Sequence, residues 1–366
     1  MKKFLIVCEH SGAFYEKYLT QLIKSLQESD VEVLLMLGKN MNLNIQVPLI
    51  ENKEFRYLSS NYDEHRFLEV FREAKNNKIT HVHFCRLLDP QRLYIAIMTT
   101  KVAFDFTISF GVFGLAEYIR RSIYANYMEK LLKIDFIKSV LLHSIDPKVA
   151  AKVCSSKGIF QSDKVNFIFD PIYENPNLYN MSTEHAKKLL KLKDKGTIVL
   201  FFGSYFYSKG PDLLLKAAEE LAHFEDLNFI FIGNTKTASF DFQISNYSGL
   251  KNVSFIDNFV DDQTAINYMI ASDLVALPYR RFYENDTSGV FVQSCLARTP
   301  LLVPDISPFK NVVEDFQLGA TFSCESVESL KNEIINFHNS SQAISVSNYA
   351  KYINKLTSWT DIARLL

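Results

Sequence analysis

The chain has 366 residues, 48% of them hydrophobic and 22% charged, a composition that excludes disorder and provides for one or two globular domains. Its formal net charge of -1 excludes the basic footprint of a nucleic-acid-binding protein. Five cysteines (Cys8, Cys85, Cys154, Cys295, Cys324) form no C-x-x-C pair and are odd in number. That suits buried thiols in a reducing compartment better than a disulfide framework or a zinc site. No segment reaches the roughly 18 consecutive apolar residues of a membrane span. The opening MKKFLIV is too short for a signal peptide, and Glu9 and His10 interrupt it, so it reads as a first strand. A cytoplasmic protein is expected, either free or peripheral at the inner face of a membrane.

Along the chain, short apolar runs alternate with amphipathic helices. Residues 4–7 read as a strand and Ser11-Gly12 as a turn. Residues 15–26 read as a helix with Tyr18, Leu19, Leu22, Ile23 and Leu26 on one face, and strands follow at 31–36, 79–84, 104–109 and 139–142. His81 and His83 alternate along the third strand and so face one side, a geometry open to metal binding or hydrogen bonding; two ligands do not make a zinc site, which favours a structural role. Ile119, Ile123, Tyr127 and Leu131 then recur at i+4 in a segment that also carries Arg120, Arg121, Lys130, Lys133 and Lys138. That suits a helix with a core stripe and a charged outer face, or a basic aromatic helix resting on anionic lipid.

Pro171, Pro176 and the asparagines of residues 170–182 break both periodicities and mark a domain boundary. Beyond it, residues 197–202, 228–232, 253–256, 273–277 and 301–303 read as strands. Residues 211–221 read as a helix striped by Leu213, Leu214, Ala217, Ala218 and Leu221, and residues 348–366 as helix broken near Thr357-Ser358. Such βαβ alternation implies an α/β fold of parallel sheets covered on both faces, with ligands at the carboxyl ends of strands. The expected division is a domain of residues 1–172, a linker of 173–195, a domain of 196–345, and a terminal helix of 346–366 that packs back on the first domain.

Three segments carry chemistry. The first strand–turn–helix, VCEHSGAFYEKYL, has one glycine where a dinucleotide fingerprint needs three, so Gly12 and Ser11 offer at most backbone contact to a ligand. In VLFFGSYFYSKGPDLLL a strand ends at Gly203 and Lys209-Gly210-Pro211 starts a helix. Pro in the first helical turn loses no needed hydrogen bond, and Lys209 stands beside a helix N-terminus, where phosphate is favoured. In LPYRRFYENDTSGVFVQSCLARTPLLVPD a buried strand runs into a polar loop, and Thr287-Ser288-Gly289 open an apolar helix whose first N–H groups suit an anion. An ordinary capped helix in any α/β domain reads the same way.

Gly203, Lys209-Gly210, the LPY strand end, the TSG helix start and LARTPLLVPD together resemble the retaining glycosyltransferases of the GT-B fold, family 4 and its relatives (glycosyl transferases group 1). The terminal Ser358-Trp359 helix is similar too. The resemblance implies two Rossmann-like domains facing a cleft, with a C-terminal helix crossing back to the first. It implies a hexosyltransferase of the polysaccharide-building type, taking a nucleotide-diphosphate sugar as donor, with no other cofactor and no metal. The acceptor would be a glycan or lipid-linked, and the sugar would be transferred with retention. Lys209, Glu284 and Asn285 fall at catalytic positions. Gly12, Gly203, Ser204, Lys209, Gly233, Phe259, Val260, Arg280, Thr287, Ser288, Gly289 and Gln293 fall at donor-binding ones, with the base read by backbone near Gly233-Asn234 and Asn258-Phe259-Val260.

The chain departs from the family pattern at several places. Ser204 replaces the arginine that follows the family's glycine, and Arg280 or Arg281 would resupply its charge. The Glu-x7-Glu pair becomes Asn285, with Glu284 adjacent, and Gln293, an amide that accepts through its oxygen and also donates. Phe110 stands where the family often has a histidine on the sugar, which leaves His10, His83 and His143 as candidates. These changes keep alternatives open: a non-catalytic binding subunit or scaffold for a partner transferase, or an epimerase of nucleotide sugars. Partners expected are the nucleotide sugar, the acceptor, a membrane surface, and a second copy or partner transferase; nucleic acid is not expected.

Overall fold

The computed structural model describes residues 2–8, 13–38, 65–193, 195–240, 244–247, 249–340 and 344–366. The chain divides into two compact units, Met1–Tyr173 with Thr357–Leu366, and Glu174–Leu356.

The first unit holds a six-stranded parallel sheet of β1 (Lys3–Cys8), β2 (Glu32–Leu37), β3 (His81–Phe84), β4 (Thr107–Phe113), β5 (Ile137–Ser144) and β6 (Val165–Phe169), in the order β2-β1-β3-β4-β5-β6. Its helices are α1 (Ala13–Gln27), α2 (His65–Asn76), α3 (Pro90–Thr99), α4 (Ala116–Arg120), α5 (Ser122–Leu132) and α6 (Pro147–Lys157). The strands are near-continuous apolar runs because both faces are covered. Leu5, Val82, Ile108 and Phe110 belong to one core and Ile6, Leu35 and Leu141 to the other, where Tyr18, Leu19, Leu22, Ile23 and Leu26 of α1 are buried. Asp89 and Asp146 cap α3 and α6, each followed by Pro in the first turn.

The second unit holds β7 (Thr197–Phe202), β8 (Leu227–Gly233), β9 (Val253–Asp257), β10 (Leu274–Ala276), β11 (Leu301–Pro304) and β12 (Gly319–Phe322), parallel and ordered β12-β11-β10-β7-β8-β9. Its helices are α7 (Thr183–Leu189), α8 (Pro211–Glu220), α9 (Asp262–Ala271), α10 (Gly289–Ala297), α11 (Phe309–Phe316), α12 (Val327–Asn339) and α13 (Val346–Ile353). The last helix, α14 (Trp359–Leu365), returns to the first unit and packs on α1, burying Ile362 and Leu366 in the core that holds Tyr18. Trp359 donates its indole N–H to the Ile172 carbonyl at 2.8 Å.

Several sequence expectations are corrected. The expected linker, 173–195, is part of the second unit from Glu174 on: Ser182 caps α7, which packs against α9 and buries Ala186 with Ile266 and Ile270. Of residues 346–366, α13 belongs to the second unit, where Tyr352 packs edge-on against Phe291 and Phe316; only residues 357–366 return to the first. The fourth strand runs Thr107–Phe113 rather than 104–109, because Phe104 leaves the sheet to stack on Phe136 and pack edge-on against Phe71. The pattern at 119–131 spans a break: Arg121 has non-helical dihedrals, so α4 and α5 are separate and α5 turns Ala125, Met128 and Leu131 inward while Ile123 is exposed. Strands β6 and β12 escaped the reading altogether.

His81 and His83 share one hydroxyl. Ser109 Oγ lies 2.7 Å from His81 Nε2 and 2.8 Å from His83 Nδ1, while Thr107 Oγ1 lies 2.7 Å from His81 Nδ1. Burial lowers the His81 pKa to about 3 and takes His83 well below the usual histidine range. His143 is fully buried, its ring stacked on Phe113 and its Nδ1 3.5 Å from Asp170. Phe110 is core. His10, Ser11 and Gly12 lie outside the described residues. All five cysteines are free thiols, and among the described residues no group of three or more His, Cys, Asp or Glu is arranged to hold a metal ion. No described helix is long and apolar enough to cross a membrane.

Candidate functional site

In the second unit the strand order reverses between β7 and β10, neighbours whose following connections leave in opposite directions. The carboxyl ends at such a switch point open a crevice for ligands. Two loops meet there, the one after β7 (residues 203–210) and the one after β10 (277–288).

They are tied tightly together. Arg280 donates its backbone N–H to Ser208 O at 2.9 Å. Gly210 has φ 63°, a left-handed conformation, and a Cβ there would overlap the Pro278 carbonyl. Glycine is therefore required twice over. Gly203 (φ 130°) packs its carbonyl against Gly233 so closely that a Cβ on Gly233 would overlap it, joining the ends of β7 and β8.

Lys209 closes a 3-10 turn, Tyr207–Lys209, just before α8. Its Nζ stands 3.1 Å from the place a Cβ would take on Gly203, so the missing side chain makes room for the ammonium. The side chain is half-buried, and among the described residues no hydrogen bond or ion pair holds it. Burial lowers its pKa to about 8, an effect that the negative charge of Asp286 partly offsets. A half-buried ammonium without a bonded carboxylate among the described residues is poorly compensated, and an anion beside it would raise its pKa again.

The start of α10 faces the same strand ends. Ser288 is the N-cap, accepting from Phe291 N at 3.3 Å, and its Oγ is 2.8 Å from the Tyr279 hydroxyl. Burial raises the Tyr279 phenol, so it stays protonated. Thr287 donates its N–H to Asp286 Oδ1, which removes it from the anion site expected at Thr287-Ser288-Gly289. The N–H groups of Gly289 and Val290, at the first two helical positions, have no acceptor among the described residues. Nothing lies within 4 Å of where a Cβ on Gly289 would be, so the helix end is open.

Other expected residues are placed differently. Arg280 does not resupply the charge absent at Ser204. Its guanidinium pairs with both Asp212 oxygens (2.9 and 2.7 Å) and the Tyr207 carbonyl (2.6 Å), lies 3.8 Å over the Tyr207 ring, and approaches Glu325 at 3.5 Å. It clamps the start of α8 instead. Arg281 is exposed and 3.9 Å from Glu284. Asn285 has φ 64° and donates its N–H to Ser307 O at 2.8 Å. Ser204 is half-buried beside Gly203, and the Asn234 side chain caps the turn after β8. Phe259 and Asn258 are exposed and Val260 is half-buried, beyond β9 at the sheet edge. Gln293 donates to Glu174, a buried residue.

The structure thus brings Gly203, Lys209, Gly233 and the Ser288-Gly289 helix start to neighbouring strand ends. Sequence reasoning missed Asp212, Asp286 and Glu174. An acid in the first turn after Pro211 was a legible signal for Asp212; nothing local announced Glu174.

Residues 182–355 match the family described as Glycosyl transferases group 1. No curated protein sequence matches the chain. Solved structures match all of it: sucrose-phosphate synthase from Thermosynechococcus elongatus (15% identity, 97% of that chain, TM-score 0.75), HepE from Anabaena in complex with UDP and glucose (16%, 98%, 0.71), and WaaG, a glycosyltransferase involved in lipopolysaccharide biosynthesis (15%, 95%, 0.61). At such identities the likeness is one of fold. The second unit carries a domain of the glycosyl transferases group 1 family, in a chain with the two-sheet α/β fold of the GT-B glycosyltransferases.

Proposed function

We propose that the chain is a hexosyltransferase of polysaccharide assembly. It moves a sugar from a nucleotide-diphosphate sugar to a glycan or lipid-linked acceptor, with retention and without a metal, at the inner face of a membrane. One observation carries the reading: the Lys209 ammonium, unpaired among the described residues, stands at the switch point of the sheet, within reach of the charge of Asp286 three residues before α10. As the bond from sugar to diphosphate breaks, negative charge grows on the leaving oxygens. This reading assigns that charge to Lys209 and the N–H groups of Gly289 and Val290, which would then favour the transition state over the bound donor. HepE's structure with UDP and glucose makes a uridine-diphosphate sugar the first donor to try.

A second reading rests on Asn285 and Gln293. With no carboxylate at either place, the chain would bind a nucleotide sugar for a partner transferase without turning it over. A thermal-shift screen of UDP-, GDP-, ADP- and CMP-sugars, followed by turnover assays, separates the two. Transfer to an acceptor supports the enzyme, stabilisation without turnover the binding subunit, and donor isomerisation without acceptor an epimerase. Silence across the panel would sink the nucleotide-sugar reading.

A further inference from the structure

Arg280 holds two consecutive carbonyls directly before Lys209. Its backbone N–H donates to Ser208 O at 2.9 Å and its Nη1 to Tyr207 O at 2.6 Å. The same Tyr207 carbonyl accepts the Gly210 N–H at 3.1 Å, the bond that closes the 3-10 turn, and the Tyr207 N–H donates to Ser239 Oγ at 2.8 Å. The guanidinium carbon lies 3.8 Å from the Tyr207 ring centroid, and the fork engages both Asp212 oxygens in the first turn of α8. Lys209 thus sits between two anchored points, Tyr207-Ser208 before it and Asp212 after it, and the Arg280 guanidinium joins them. Arg280 is itself buried, whereas its sequence neighbour Arg281 is exposed. A lysine stem is flexible and its ammonium strongly hydrated, so depth has to be imposed on it from outside.

We propose that Arg280 is a positioning residue for Lys209: its guanidinium locks the Tyr207–Lys209 turn to α8, and the locked turn keeps the ammonium against Gly203 instead of in solvent. This rests on the reading of Lys209 as the partner of an anion, and adds what keeps that partner in place. The ammonium stands 3.1 Å from where Gly203 would carry a Cβ, and burial has lowered its pKa to about 8, as befits a charge held short of water. A charge already in place meets its ligand without first ordering a long side chain, and there the clamp acts on binding. Paired with Asp212 and near Glu325, Arg280 offers the anion no net charge of its own and leaves that role to Lys209.

NMR titration of the Lys209 Cε signal, assigned with Lys209→Arg, follows the side chain directly and needs no ligand. The wild type should titrate near pH 8. Arg280→Lys keeps the positive charge and loses the planar fork, so its Lys209 should titrate about one pH unit or more higher, toward the ordinary 10.5. Asp212→Asn loosens one arm of the clamp and should move the midpoint the same way by less; it decides the matter where Arg280→Lys does not fold. Loss of a negative charge alone would move it down, so the direction separates the clamp from plain electrostatics. An unchanged midpoint in the variants that fold, with only the melting temperature lowered, means that the pair is merely structural and overturns the proposal. So does a wild-type midpoint already near 10.5, because no ammonium is then held at depth. Calorimetry with UDP, GDP and ADP at pH 7 gives the second readout: the nucleotide that the wild type binds should bind Arg280→Lys about tenfold more weakly. A displaced midpoint with undiminished affinity would leave the clamp standing and remove the anion reading of Lys209.

Discussion

The two units place their titratable groups in opposite ways. In the first, His81, His83 and Ser109 sit within the strands, buried and bonded to one another, and β1 and β3 form the switch point. In the second, the strand interiors are apolar, with Val199, Leu200, Phe229 and Phe231 fully or almost fully buried, and the charges gather in the loops at the carboxyl ends. Polar groups inside a sheet are committed to each other; polar groups at its end, fixed by glycines and a buried ion pair, are available to a ligand. The same architecture therefore commits its polar groups to one another in one unit and leaves them at the strand ends in the other.

The contrast is broken most severely at Lys209. Lys209→Ala should lower kcat/KM for transfer by 10²- to 10³-fold, about 3–4 kcal/mol of barrier, with thermal stability little changed. Normal turnover by that variant would remove Lys209 from the reaction.

Two glycines with the same φ of 63° sharpen it next. Gly210→Ala should cost about 3 kcal/mol or more, because the new methyl meets the Pro278 carbonyl as well as a disfavoured φ. Gly158→Ala, at the end of α6 with nothing within 4 Å, should cost only about 1 kcal/mol. Equal losses in denaturant titrations would mean that the two β7 and β10 loops are not locked together.

Acid should act on the first unit through its histidines. His81 is held to about 3 when folded and returns to about 6.5 when unfolded, so between those values the unfolded chain binds the extra proton. Stability is then complete above pH 7 and falls with pH, by about 2 kcal/mol at pH 5 from His81 alone. Unfolding midpoints followed from pH 7 to 5, with His81→Asn as comparison, check this; a flat profile in the wild type would contradict it.

The smallest effect is on the alkaline side, in the second unit. Lys209, its pKa lowered to about 8, is half deprotonated at pH 8, while a diphosphate stays fully ionised. Affinity for a nucleoside diphosphate should hold up to about pH 7, fall about twofold by pH 8 and about tenfold by pH 9. In Lys209→Arg, whose guanidinium does not titrate there, the curve should flatten.

Much of this was legible because it is local. Pro211 after Lys209-Gly210, Ser288 three residues before the N–H it caps, and the helical stripes of α1 and α8 follow from spacing alone, and each forms as written. What was illegible depends on distant partners. Arg280 reads as a spare cation until Asp212 is seen 68 residues away across the loop. Gln293 reads as a lost carboxylate until Glu174 is seen 119 residues away at the start of the same unit. The short strands β6 and β12 lacked a pattern of their own and are fixed by parallel pairing with β5 and β11. Residues 173–195 read as linker because prolines and asparagines dominate them, although Ala186 has a core to join.

The return of α14 has a consequence for synthesis. Tyr18, Leu22 and Ile168 gain their last neighbours from Ile362 and Leu366, and Lys138 donates to the Leu366 carbonyl at 3.1 Å. A ribosome emits residues 357–366 only after the whole second unit, at about 5–20 residues per second. The first unit, although made first, therefore waits with one apolar face uncovered for roughly ten seconds or more. The second unit has all of its chain by Leu356 and is complete earlier, so the order of completion reverses the order of translation.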